Sequence, residues 1–164
     1  MLRKLLSKFK TTVSYFKMGN KFGADIHSKW LLSTMLMRFN MRRMLGLNTE
    51  KTYIASIRIG KFRHGLSFRA QDICIVREML ERSPYLQELS AAPINHILDL
   101  GAHIGLATLC FREKYPEARI CCYEPDPENY RLLESNLQSL AGISLRNMAI
   151  GMKVSSCVRE NRLP

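Results

Sequence analysis

The stretch Ile97-Leu98-Asp99-Leu100-Gly101-Ala102-His103-Ile104-Gly105 decides how the chain is read. Its first four residues are an apolar run with strand character. Gly101 follows without a spacer, and a helical apolar pattern begins at Leu106. A strand that passes through a glycine turn into a helix is the first half of a βαβ unit. Gly101 lets the chain turn sharply and leaves bare backbone for a ligand, while Gly105 permits the new helix to pack closely on the strand.

Downstream the alternation continues. The spacing predicts strands over 94–100, 119–123 and 143–150, with helices over 106–114 and 127–140, which argues for an α/β fold with a parallel sheet. Upstream, Tyr53 to Arg69 alternates as a β-hairpin around a turn region at 61–65, and Asp72 stands where an N-cap belongs for a helix to Arg82. Ser83-Pro84 ends that helix, and Ser90 to Pro93 reads as a linker. A further helix is predicted from Ser28 to Leu45, stopped by Gly46 and preceded by a break bracketed by Gly19 and Gly23. Residues 1–17 place Leu2, Leu5, Leu6, Phe9, Val13 and Phe16 at helical spacing against Arg3, Lys4, Lys8, Lys10 and Lys17, an amphipathic basic helix. Three parts result: a basic helical segment (1–50), a hairpin with its helix (51–92) and the alternating α/β part (93–164).

Charge follows the same division. Of the net +11, the first 45 residues hold ten basic side chains against one acidic, whereas residues 93–164 hold eight of each. The basic end predicts packing on the domain or docking to an anionic membrane surface; nucleic acid is disfavoured, because aromatic side chains are not regularly interleaved with the charges. Five cysteines without a CxxC pair suit a reducing, cytoplasmic setting with buried, unpaired thiols. The four histidines have no metal-ligand spacing, so no metal site is expected. With charge interleaved through its first 17 residues the chain has no secretory leader pattern, and no apolar run reaches the roughly 20 residues of a spanning helix.

Two carboxylates narrow the ligand. Glu124 lies 23 positions after Gly101, at the end of the second strand, where a carboxylate can accept hydrogen bonds from both ribose hydroxyls. A dinucleotide loop needs a second glycine at the pyrophosphate, but this loop reads Gly-Ala-His-Ile-Gly and carries Asp99 two residues ahead of it. Asp99 repels a diphosphate and suits an ammonium group. A ligand with ribose, adenine and a cationic amino-acid tail satisfies both acids, and S-adenosylmethionine is such a ligand. The competing structural roles are a strand-end carboxylate capping the next helix for Asp99 and an exposed loop residue for Glu124. His103 is read as a loop residue whose backbone matters more than its ring.

Residues 97 to 151, with DLGAHIG in the first loop, YEPDPENY after the second strand and NMAIG after the third, resemble in order and spacing the N-terminal half of an FkbM-type S-adenosylmethionine-dependent methyltransferase. FRAQDICIVREML upstream resembles the lead-in of such proteins, so the likeness covers about 53 to 151. The resemblance implies an incomplete class I, Rossmann-like sheet with strands 1–3 only, and methyl transfer to a hydroxyl of a sugar or secondary metabolite. It puts Asp99, Gly101, Ala102 and Gly105 at the methionine end, Glu124 at the ribose, and Pro125, Asp126 and Asn147 at the adenine edge, with His103 counted among the cofactor-binding loop residues. No residue is assigned as the base. The tail from Met152 to Pro164 departs from the family pattern, and the acceptor-binding half is expected to be missing. The first strand would then have an open apolar edge, which invites self-association. The rival to an enzyme is a non-catalytic interaction module that pairs with another chain or docks on a membrane.

Overall fold

The computed structural model describes residues 2–47, 51–82 and 93–151, with side chains from residue 10 onward. The chain forms two compact units, residues 1–89 and 90–164. The Ser83-Pro84 stop, most of the 90–93 linker and the tail from Met152 lie outside the described residues.

In the first unit, helix α1 (Leu2–Phe22) packs on helix α2 (Ile26–Met44), and both meet the hairpin β1 (Thr52–Ile59) and β2 (Phe62–Arg69) or the helix α3 (Ile73–Arg82). The core joins Tyr15 and Met18 to Leu32, Met35, Ile57 and Phe68. Three expectations are corrected here. Gly19 lies inside α1 and does not break it: a Cβ at this position would sit 2.2 Å from Ser33 Oγ and 2.6 Å from the Lys29 carbonyl, so its bareness is what lets the two helices approach. The buried face of α1 uses Tyr15 and Met18, whereas Phe16 is 62% exposed. Tyr15 gains partners there, its hydroxyl donating to Cys74 Sγ at 3.3 Å and its ring lying under the Arg77 guanidinium. The hairpin turn is only Gly60-Lys61, and Phe62 to Gly65 belong to β2, paired with Ile59 to Ser56.

Two caps fix the entry and corner of this unit. Asp25 caps α2, accepting from Ser28 N at 2.7 Å and Ser28 Oγ at 3.0 Å; Ser28 Oγ in turn accepts from Ser56 N, tying the helix start to β1. These bonds hold the Asp25 carboxyl below its usual range. Asp72 reaches back to the Arg69 N–H at 2.8 Å and pairs with the Arg69 guanidinium at 3.1 Å, from a short 3-10 turn that precedes α3. At its other end α2 closes through Gly46, as read from the sequence.

The second unit is a parallel sheet of β3 (His96–Leu100), β4 (Arg119–Tyr123) and β5 (Ile143–Arg146), in that order, with α4 (Leu106–Lys114) and α5 (Pro127–Leu137) as crossovers. This is an α/β arrangement, the first half of a Rossmann-like sheet. Both crossovers cover one face. Thr108 of α4 reaches Asp99 and Cys122 of that face, and Leu133 and Leu137 of α5 close on Gly105. Ile120 and Cys122 are buried beneath them. β5 is shorter than expected because Asn147 turns out of the sheet and donates through Nδ2 to the Glu124 carbonyl at 2.8 Å.

The opposite face carries His96, Leu98 and Leu100 with Cys121, Tyr123, Ser144 and Arg146, and there Leu98 is 68% and Leu100 59% exposed. Among the described residues no strand pairs with the outer edge of β3. None of the four described cysteines forms a disulfide; Cys110 and Cys122 are buried as expected, but Cys121 is half-buried and Cys74 exposed.

Candidate functional site

The loop after β3 is built from alternating left-handed residues, with φ of +83° at Gly101, +52° at His103 and +87° at Gly105. The two glycines serve different ends. A Cβ on Gly105 would meet Leu133 at 2.9 Å and Leu137 at 3.0 Å, so this position is closed by helix packing; a Cβ on Gly101 would meet nothing within 4 Å. His103 holds a conformation that costs an L residue roughly 1–3 kcal/mol unless its surroundings enforce it. Glu124 supplies that enforcement.

The Glu124 side chain is 5% exposed and binds the loop to the end of β4. Its Oε2 accepts from the His103 N–H at 2.8 Å, and its Oε1 accepts from the Asp126 N–H at 3.0 Å and from Asn129 Nδ2 at 3.3 Å. Backbone bonds from Gly101 N and Ala102 N to the Tyr123 carbonyl, at 2.8 and 3.0 Å, complete the fastening. The exposed-loop alternative for Glu124 is therefore set aside. Asp126 caps α5 by accepting from the Glu128 and Asn129 N–H groups, which gives it a structural task that sequence reasoning did not assign.

Asp99 sits at the end of β3 and accepts from Thr108 Oγ1 at 2.6 Å. Burial pushes its carboxyl above the ordinary range and the charge of Glu124 adds to the rise, while the Thr108 hydroxyl acts the other way. Thr108 also lies 3.3 Å from Cys122 Sγ, whose thiol burial pushes up to about 11. Asp99 and Glu124 thus stand at the carboxyl ends of two adjacent parallel strands, on either side of an open glycine turn. That is where ligands bind in open α/β sheets.

Of the residues proposed from sequence, Asp99, Gly101, Ala102, His103, Gly105 and Glu124 come together around this turn. Pro125 and Asn147 lie exposed at its far side, joined by the bond from Asn147 Nδ2 to the Pro125 carbonyl at 3.3 Å. Sequence reasoning missed Thr108, Asn129 and Asn136, whose Nδ2 donates to the Ile104 carbonyl at 2.8 Å. The only available signal was position, since each is a small polar residue on a helix otherwise facing the sheet. A separate groove of about 350 Å³, lined by His96, Leu98, Arg119, Cys121 and Ser144, lies over the bare face and includes none of the candidate residues.

The chain matches no family model. Over 61 residues, 37% of its length, it is 39% identical to the methyltransferase sdnD of Sordaria araneosa. Over 62 residues it is 29% identical to Methyltransferase 1 of Beauveria bassiana. The chain covers 21% and 25% of the length of these curated relatives. Among solved structures it is similar to Pyrococcus horikoshii TYW2 in complex with MeSAdo, at a TM-score of 0.39 and 17% identity, over 73% of this chain and 49% of that one. It is also similar to coclaurine N-methyltransferase bound to N-methylheliamine and SAH, at a TM-score of 0.39 and 12% identity, over 96% and 43%. The sequence relatives are methyltransferases.

Proposed function

We propose that the second unit is the S-adenosylmethionine-binding half of a methyltransferase of the FkbM type, acting on a hydroxyl of a sugar or secondary metabolite in the cytoplasm. The observation that carries this reading is the pair Asp99 and Glu124 flanking the open turn at Gly101. The residues fit the cofactor: bare backbone at Gly101 leaves room for its amino-acid end, and Asp99 offers a carboxylate to its ammonium. Glu124 Oε2 accepts one protein hydrogen bond and retains a lone pair for a ribose hydroxyl. Bound there, the cofactor supplies an electrophilic methyl group on a sulfonium. The chain's own share is positioning, because holding donor and acceptor in line lowers the barrier most in such a displacement. Ala102, His103 and Gly105 shape the turn, while Pro125, Asp126 and Asn147 form the rim proposed for the adenine.

Calorimetry with S-adenosylhomocysteine tests the reading. Binding is expected in the micromolar range, about −8 kcal/mol. Asp99→Asn, which keeps an acceptor for Thr108, should weaken it about tenfold, the loss of one charge-assisted contact. Glu124→Ala should abolish it. Binding of NAD in its place, or of neither ligand, overturns the proposal.

The exposed Leu98 and Leu100 beside the open edge of β3 favour a second reading, in which this half-sheet pairs with a second copy. Concentration-dependent sedimentation that disappears in Leu98→Lys would support it.

A further inference from the structure

Helix α2 is apolar on two opposite sides. Leu31, Leu32 and Met35 point into the core. Ile26, Trp30, Met37, Met41 and Met44 recur at helical spacing and fall within an arc of about 60° on the far side. This outer stripe is open to solvent: Ile26 is 87%, Met37 64% and Met44 80% exposed. It runs about 27 Å along the helix and borders a groove of about 590 Å³ that Met37, Met41 and Met44 share with Thr11 and Tyr15 of α1.

Charge identifies the cover. Lys29 flanks the stripe on one side and Arg38 on the other, with the Arg38 guanidinium 4.2 Å above the Trp30 ring. Asp25 is the only acidic residue before Glu50, and its carboxylate is engaged by Ser28 at the start of α2. The surface is therefore apolar along its centre and positive on both margins. A second copy would set cations against cations along the margins, and a nucleic acid would leave the thioethers and Ile26 without an apolar partner. We propose that the outer face of α2 docks in the interfacial plane of an anionic lipid bilayer, with Trp30 and the three methionines among the acyl chains and Lys29 and Arg38 at the headgroups. No helix among the described residues is long and apolar enough to cross a membrane, so α2 would lie along its surface. The inference is independent of the methyltransferase reading.

Trp30 is the only tryptophan of the chain and reports directly. The full chain is mixed with phosphatidylcholine vesicles with or without phosphatidylserine. Phosphatidylserine should raise association about tenfold, and added salt should reverse the gain. Trp30 emission should shift to the blue and be quenched by brominated acyl chains. Met37→Glu combined with Met44→Glu, both at exposed positions, should reduce partitioning about tenfold or more, with unchanged circular dichroism and an unchanged urea midpoint. Vesicle association without a Trp30 response, or equal binding by the double variant, overturns the proposal. So does an oligomer that the double variant dissolves in the absence of lipid, which would make this face a protein interface.

Discussion

The two faces of the parallel sheet both carry apolar residues and meet different fates. On one, Ile120 and Cys122 lie beneath α4 and α5, and Leu109, Leu133 and Leu137 are buried with them. On the other, Leu98 and Leu100 stand in solvent. Handedness is the cause. The steps β3 to β4 to β5 progress in one direction, and right-handed crossovers in one direction place their helices on one side. A strand whose residues are apolar on both faces is suited to cover on both. Covering the second face takes chain running back past β3, or a partner. Among the described residues of this unit nothing covers that face, and the candidate site lies at the edge where the two conditions meet.

Substitutions can break this contrast. Leu133→Ala, on the covered side, should cost about 3 kcal/mol by urea denaturation, as expected for a fully buried leucine. A loss below about 1 kcal/mol would mean that this face is far looser than its burial implies. Gly105→Ala should cost about 2 kcal/mol, combining left-handed strain with a clash against Leu133 and Leu137. Gly101→Ala should cost only about 1 kcal/mol, because the same backbone strain arises in open space. Equal losses at the two glycines would show that the turn is not open where the site requires it.

Asp99 gives a pH-dependent version of the test. Its folded-state pKa is raised, so between the unfolded value and the raised one the native state binds more protons than the unfolded state. Stability should therefore fall as pH rises through that window and stay lower above it. Asp99→Asn should lack this fall, matching the parent at acid pH and exceeding it at neutral pH, as read from urea midpoints across a pH series. The smallest effect is expected on the bare face, where Leu98→Ser should change stability by less than about 0.5 kcal/mol. A loss comparable to that at Leu133 would mean that something covers Leu98 in solution.

Much of the second unit was legible because local signals agreed there. Helix 106–114 and strand 119–123 appear with the bounds their patterns imply, and the glycine turn between Leu100 and Leu106 has the left-handed residues that glycines 101 and 105 suggest. The pairing of Asp99 with Glu124 across two strands followed from their places at strand ends. What each carboxylate bonds was not legible. Thr108, Asn129 and the His103 N–H reach them only after helices and loop have docked. Errors gathered in the first unit, where an amphipathic pattern left the buried arc of α1 ambiguous and the packing of Tyr15 against Cys74 and Arg77 decided it.

By itself the sequence determined the strand-turn-helix order, the two acids at strand ends and the basic start of the chain, because periodicity, turn chemistry and charge are local properties. Tertiary structure alone decided that Gly19 is a helix contact, that Glu124, expected at a ribose, fastens the loop at His103, and that among the described residues one sheet face and one side of α2 are exposed. Those outcomes depend on which surfaces meet, and contact between residues distant in the chain is set by the geometry of packing.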